Sequence, residues 1–332
     1  MWPNKRCRRS IAHCGAAVML VASGTALYAQ EPSYPGKMVL LLTPFGPGVG
    51  PDLYMRPLSA KLSERLGQKV LLESKVGAGG ALPILQTVNA LPDGYTMTVV
   101  SSANITQPLV QPSIGYDVAA QLTHVIQLAA SSLVLVVPAA SQIARVQDLI
   151  DLGRAHPGKF NYGSGGVGTN PHLSGETLRI LTGMDAVHVP FKNPNDVVPS
   201  MLRGDVQFAF QAMAFAAPFA RSGKLRVLAT TGAARLREFP DVATMNELLK
   251  NELFVQETWT GFALPAKAPE AIVRRLFNEV VTAFADPAVQ RGVEAAGGTP
   301  ALSRSSEDYT AFVRKENEKW REIVKLTGTR AD

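Results

Sequence analysis

From residue 38 onward, short apolar runs alternate with stretches in which apolar residues recur every three or four positions. Residues 38–44 form an unbroken apolar run, the pattern of a strand covered on both faces. Leu53, Leu58, Leu62 and Leu66 follow at helical spacing, with Pro51 and Asp52 before them and Gly67 after, so a helix is predicted over 53–66. A strand over 69–73, a helix over 81–91, a turn at Pro92-Asp93-Gly94 and a strand over 95–100 complete a β–α–β–α–β series. That order implies a parallel sheet with crossover helices. The pattern then restarts with a long strand inside 125–137 and strands over 160–163, 186–191, 206–211 and 225–230. Helices over 146–155, 171–181, 196–202 and 214–221 lie between them, and three more, over 269–285, 287–295 and 306–326, close the chain. The reading is α/β: two successive doubly wound units with no tandem repeat. No low-complexity linker divides them, which favours domains joined by hinge strands.

Residues 1–29 are a separate object. Lys5, Arg6, Arg8 and Arg9 form a basic head, a mostly apolar stretch runs from 11 to 27, and small residues stand at Ala26 and Ala29. This is the pattern of a cleaved secretory signal peptide, and it predicts export to the periplasm. The stretch is shorter than the roughly 20 apolar residues of a membrane span and is broken by His13, Ser23, Gly24 and Thr25. Loss of its four positive charges takes the net charge from +6 to +2, so the basic whole-chain balance carries no information about partners. No Lys/Arg stripe interleaved with aromatics is present, and no nucleic-acid partner is expected. Both cysteines, Cys7 and Cys14, lie in the leader. The mature chain therefore has no disulfide, thiolate metal site or cysteine nucleophile.

Two glycine-rich loops carry the chemistry. Gly46, Gly48 and Gly50 fall in Pro44-Phe45-Gly46-Pro47-Gly48-Val49-Gly50-Pro51-Asp52, and Gly163, Gly165, Gly166 and Gly168 in Tyr162-Gly163-Ser164-Gly165-Gly166-Val167-Gly168-Thr169-Asn170-Pro171-His172. Each follows an apolar run and precedes a helical pattern, an arrangement that presents unpaired backbone N–H groups to an anion. Glycine permits positive φ and close backbone approach there, and Asp52 is placed to cap the first helix and to order the loop before it. A charge at a helix start gains about 0.3–1 kcal/mol from the dipole, and up to about 2 when partly buried.

Other chemistries fit less well. Neither loop reads as G-x-G-x-x-G, and no phosphate-loop motif with its lysine is present. Of the four mature histidines, His124, His156, His172 and His188, no two stand at the i, i+4 spacing of a helical metal pair. His172 adjoins the second loop, as a structural or a ligand-contacting residue; His188 lies in an apolar run and reads as core. No nucleophile elbow occurs. Trp259 reads equally as core or as a ligand wall.

The chain resembles the periplasmic solute-binding receptors of tripartite tricarboxylate transporters, the Bug receptor family, from about residue 34 to 326. The resemblance rests on Tyr34-Pro35 with Lys37, Pro44-Phe45-x-Pro47-Gly48 with Asp52, Gly77-Ala78-Gly79-Gly80 and Pro92-Asp93-Gly94-Tyr95-Thr96. It continues through Pro157-Gly158-Lys159-x-Asn161-Tyr162-Gly163-Ser164, Gly166-Val167-Gly168-Thr169, His172-Leu173, 187–192 and 223–226. The resemblance implies a two-lobed periplasmic-binding-protein fold whose lobes close on a ligand in the cleft between them. It also implies that loop main chain, here Pro47–Gly50 and Ser164–Thr169, captures one ligand carboxylate. Two departures stand out: Val49 replaces a second glycine, and Gln211 stands where many relatives place an aspartate. Without that carboxylate to accept from an amine, a non-amino carboxylate is expected, and the apolar segment 212–215 tolerates an aliphatic or aromatic body.

The expectation is therefore a binding receptor rather than an enzyme, without cofactor or metal, monomeric, delivering a small organic carboxylate to membrane permease subunits. A signal peptide (1–29) would precede one discontinuous domain (30–130 with 231–332) and a second (131–230). Pro47, Gly48, Val49, Gly50, Asp52, Ser164, Gly166, Gly168, Thr169 and His172 are the expected ligand residues. Ser101, Asn104, Gln211 and Trp259 are added because they follow strand ends, where α/β clefts place ligand groups. The rival readings are a secreted α/β hydrolase using His172 with Ser164 or Asp52, and a sensor feeding a membrane kinase.

Overall fold

Ten strands and the helices between them make two sheets joined through one shared strand. The structure is a computed structural model that describes residues 34–48 and 50–331. The expected leader and Val49, one of the expected ligand contacts, lie outside the described residues. The strands are β1 (Val39–Thr43), β2 (Val70–Ser74), β3 (Thr96–Ser101), β4 (Leu122–Pro138), β5 (Asn161–Ser164), β6 (Val187–Pro190), β7 (Phe208–Ala212), β8 (Leu225–Thr230), β9 (Glu257–Pro265) and β10 (Thr299–Pro300).

The first sheet runs β2-β1-β3-β9-β4, with β10 on the far edge of β4; the second runs β6-β5-β7-β4-β8. Strand β4 pairs with β9 through residues 122–132 and with β7 and β8 through 133–138, so a single strand serves both sheets. The exchange falls at Ser131-Ser132, a polar pair that precedes the wholly apolar segment 133–138.

The sheets are mixed rather than parallel throughout. Strands β1, β2 and β3 pair in parallel, as do β5, β6 and β7, but β9 runs antiparallel to both β3 and β4. Residues 257–265 had no strand assignment from the sequence pattern. Gly261 is the reason β9 fits and also the reason it was hidden: a Cβ there would stand 2.3 Å from the Tyr309 hydroxyl and 2.6 Å from the Ile126 carbonyl. The position must be glycine, which weakens the strand signature.

Helices cover both faces of each sheet. On the first, Asp52–Leu66, Glu270–Phe284 and Pro287–Ala295 bury Tyr54, Met55, Leu58, Leu276, Val280 and Val289 on one side. Ala81–Val88, Ala103–Val110 and Ser306–Thr327 bury Ile84, Val110, Tyr309 and Trp320 on the other. Pro57 lies inside Asp52–Leu66 and has no N–H for the Leu53 carbonyl four residues back; Gly292 packs against that freed carbonyl, where a Cβ would come within 2.4 Å. The second sheet has its own clusters, one around Tyr162, Phe208 and Phe210 and one around Val134, Val197 and Ala216. Leu173, from the helix Asn170–Thr182 that follows β5, joins the Tyr309–Trp320 cluster and ties the second sheet's helix to the first sheet's core. Among the described residues no helix is long and apolar enough to cross a membrane.

Candidate functional site

The first loop leaves β1 and enters Asp52–Leu66. Pro47, Gly48 and Gly50 are exposed, with φ of +76° at Gly48. Asp52 is 1% exposed. Its role differs from the expected cap: the N-cap is Pro51, and the Asp52 carboxylate reaches back to accept the Gly48 N–H at 2.7 Å while Arg56 donates to its other oxygen at 2.9 Å. A carboxylate on the first helical residue faces backwards more readily than forwards, so it orders the loop instead of capping the helix. Behind it, Asn104 accepts from the Ser101 N–H and hydroxyl at 2.8 and 2.9 Å and donates to the Gly80 carbonyl at 3.0 Å. Gly80 packs beside Pro44. Ser101 and Asn104 thus brace the first loop from the end of β3, both buried.

The second loop leaves β5 and enters Asn170–Thr182. Ser164 is fully buried; its hydroxyl pairs with His188 Nε2 at 2.7 Å and accepts the Gly166 N–H at 3.1 Å. Gly168, at φ +78°, donates its N–H to His172 Nδ1 at 3.1 Å, and the Thr169 hydroxyl donates to the Gly166 carbonyl at 2.7 Å. His172 is 6% exposed, and its ring centroid lies 4.0 Å from that of His188.

These bonds correct the expectation of unpaired amides. Gly48, Gly166 and Gly168 spend their N–H groups on the protein's own acceptors, because Asp52, Ser164 and His172 lie within the same turns. Among the described residues, the amides of Gly46, Gly50, Gly165 and Val167 bond to no protein acceptor. Gly165 and Val167 fall within the expected main-chain span 164–169 but were not singled out in it; the nearby Ser164 hydroxyl and the histidine four residues after Gly168 are the signals that would have separated taken amides from open ones.

Both loops have neighbours around the end of β3. A Cβ on Gly168 would stand 3.3 Å from three carbons of Val110, on the helix that follows β3. Asn170 Nδ2 lies 3.3 Å from the Ser102 hydroxyl, one residue beyond Ser101. Two further expected residues, Trp259 and Gln211, are both buried. Trp259 is 2% exposed and its indole N–H donates to Glu316, so it is core and not a ligand wall. Gln211 is buried on β7 opposite Val134, near the strand exchange. The hydrolase pairing of Ser164 with His172 does not form, since Ser164 bonds His188. Among the described residues no group of three or more His, Cys, Asp or Glu side chains is placed to hold a metal ion.

Burial disfavours the charged form of both loop histidines. Desolvation lowers His172 against the attraction of Glu176, and desolvation together with the neighbouring His172 lowers His188 to about 4. In the unfolded chain both take up protons near the ordinary value of about 6.5. Between that value and pH 4 the unfolded state therefore binds more protons, and stability falls as pH falls. Urea unfolding is expected to show lower stability at pH 4.5 than at pH 7, with His188 carrying most of the loss. His188→Gln, which keeps a partner for Ser164, should reduce the difference; equal pH sensitivity in the variant would assign the loss elsewhere.

This is the two-lobed fold of periplasmic binding proteins, with a helix-capped glycine loop projecting from each sheet. The tripartite tricarboxylate transporter family receptor pattern matches residues 54–329, and the chain belongs to that family. A Cupriavidus necator protein, described as a UPF0065 protein in the gbd 5' region, is 32% identical over 97% of this chain and 98% of its own length. Protein BugT of Bordetella pertussis is 29% identical over 94% of this chain and 96% of its own. Among solved structures, R. palustris Rpa4515 with adipate is 26% identical, with a TM-score of 0.74, covering 90% of this chain and 99% of that one.

Proposed function

We propose that this receptor captures a small non-amino dicarboxylate between its two glycine loops and presents it to a membrane permease. The observation that carries the reading is the convergence of the loops on the end of β3, with Gly168 against Val110 and Asn104 bracing Gly80 beside Pro44. Open amides at Gly46, Gly50, Gly165 and Val167 supply donors, and two helix starts supply positive potential. Several N–H···O⁻ bonds at roughly 1.5–3 kcal/mol each suffice for micromolar binding after association costs. Gln211 has no charge to offer an ammonium group, which disfavours amino acids. The adipate held by a relative of similar length supports a dicarboxylate.

In this reading residues 1–29 are removed on export and the periplasmic monomer closes its lobes, 30–130 with 231–332 and 131–230, around the ligand. Closure is driven by the ligand's higher affinity for the closed state. The test is a thermal-shift screen over mono-, di- and tricarboxylates and amino acids. Adipate-like dicarboxylates are expected to stabilise without turnover, by about 4 kcal/mol at a thousandfold excess over Kd. Tight glutamate or aspartate binding with no response to plain dicarboxylates would reject the assigned class.

A further inference from the structure

We propose that His172 and His188 are positioning residues: as a neutral pair beneath the 164–172 loop they set the directions of its amides, and protonation of His172 loosens the loop's hold on a carboxylate. The inference rests on the receptor reading above.

The argument is directional. His172 Nδ1 receives the Gly168 N–H at 3.1 Å, so that nitrogen carries a lone pair and the ring is neutral. An imidazolium bears hydrogens on both nitrogens and would set one N–H against another. The Gly168 amide would then have to turn, in a loop whose Cα already packs on Val110. His188 acts at one remove: Nε2 holds the Ser164 hydroxyl at 2.7 Å, and that hydroxyl holds the Gly166 N–H at 3.1 Å. Each ring therefore fixes one loop amide; the open amide of Val167 sits between the two fixed ones, and that of Gly165 immediately precedes them.

Glu176 is the charged neighbour that the two rings share. Tyr162 on β5 packs against both rings and donates its hydroxyl to Glu176 at 2.5 Å. Glu176, one turn along the helix from His172, is also held by Arg179 at 2.8 Å. The helix Ala103–Val110, across from the loop, carries no charged residue. No charged group other than Glu176 and the partner ring acts on either histidine. Desolvation lowers both rings, and a proton on His172 opposes a second charge on His188, 4.0 Å away.

Adipate binding, measured calorimetrically at pH 7.5 and pH 5.0, compares wild type with His172→Asn and His172→Leu. The asparagine Oδ1 stands where Nδ1 stood, accepts from Gly168 and does not titrate. Wild type is expected to lose at least threefold more affinity than His172→Asn across this range, a ratio that cancels the ligand's own protonation. His172→Leu is expected to bind about tenfold more weakly at pH 7.5. Without ligand, 15N spectra of the wild type should show an unprotonated His172 Nδ1 and a Gly168 amide that titrates with the same midpoint. A wild-type pH slope in His172→Asn, or a Gly168 amide indifferent to His172, overturns the proposal. If adipate and the other dicarboxylates bind none of the proteins at either pH, the receptor reading falls and the claim about grip falls with it. The ligand-free spectra still judge the histidine–amide bond by themselves.

Discussion

Gly168→Val is expected to abolish ligand-induced stabilisation while leaving a folded protein. Gly168 sits at φ +78°, and a Cβ there would lie 3.3 Å from Val110 on the helix Ala103–Val110, which covers the first sheet. The first atom of any side chain is already tight, and the two methyl groups of valine extend into the same contact. They hold the 164–172 loop off the helix that follows β3, so the lobes cannot bring both loops onto one anion. The unliganded variant should lose about 1–2 kcal/mol, the usual cost of left-handed backbone for a residue with a Cβ. The larger effect is on ligand linkage: the roughly 4 kcal/mol gained by wild type at a thousandfold excess of ligand should vanish. Urea unfolding with and without ligand measures both quantities. An undiminished ligand effect would remove this loop from the site.

The second large effect lies away from the loops. Glu316 is buried on the helix Ser306–Thr327 and accepts the indole N–H groups of Trp259 and Trp320, each at 3.1 Å, while pairing with Lys319. Glu316→Ala strands two buried indole donors and leaves Lys319, whose side chain is only 17% exposed, with the Val255 carbonyl as the remaining partner of its ammonium group. The expected loss is about 3–5 kcal/mol, the range for breaking a buried pair by removing one partner. Glu316→Gln keeps one oxygen acceptor and should fall between. Ligand affinity should stay within about twofold of wild type, since Trp259 faces the core; a changed Kd with little change in stability would return Trp259 to the ligand wall.

The sequence pattern located most of the regular elements because their apolar residues are periodic. Helix Val146–Ala155 and strand Leu225–Thr230 lie where the pattern puts them, and the long β4 extends a few residues beyond the predicted run. Strand β9 escaped because Gly261 and Pro265 mimic a turn. The helix Ala103–Val110 escaped because Pro108 interrupts a short segment. Both omissions bear on the site, since β9 separates β3 from β4 and Val110 meets Gly168. The glycine loops themselves were legible, as was Asp52 as the residue that orders the first. Which amides remain open was not, because that depends on the rotamers of Asp52, Ser164 and His172. A one-dimensional pattern shows that an acceptor is near but not the direction in which it points.

The placement of β9 has a consequence for how the chain acquires its structure. Ser132 on β4 and Glu257 on β9 are 125 positions apart, yet they meet across the ladder that completes the first sheet. Until residues 257–265 arrive, β3 and β4 have no partner between them, and the Tyr309–Trp320 cluster that covers this sheet is absent. Such sequence-distant pairing slows folding, because loop closure must precede the contacts that reward it. The N-terminal third is therefore committed late, with bare ladder edges exposed in the interim. Shortened translation products ending before β9 should be the species most prone to self-association.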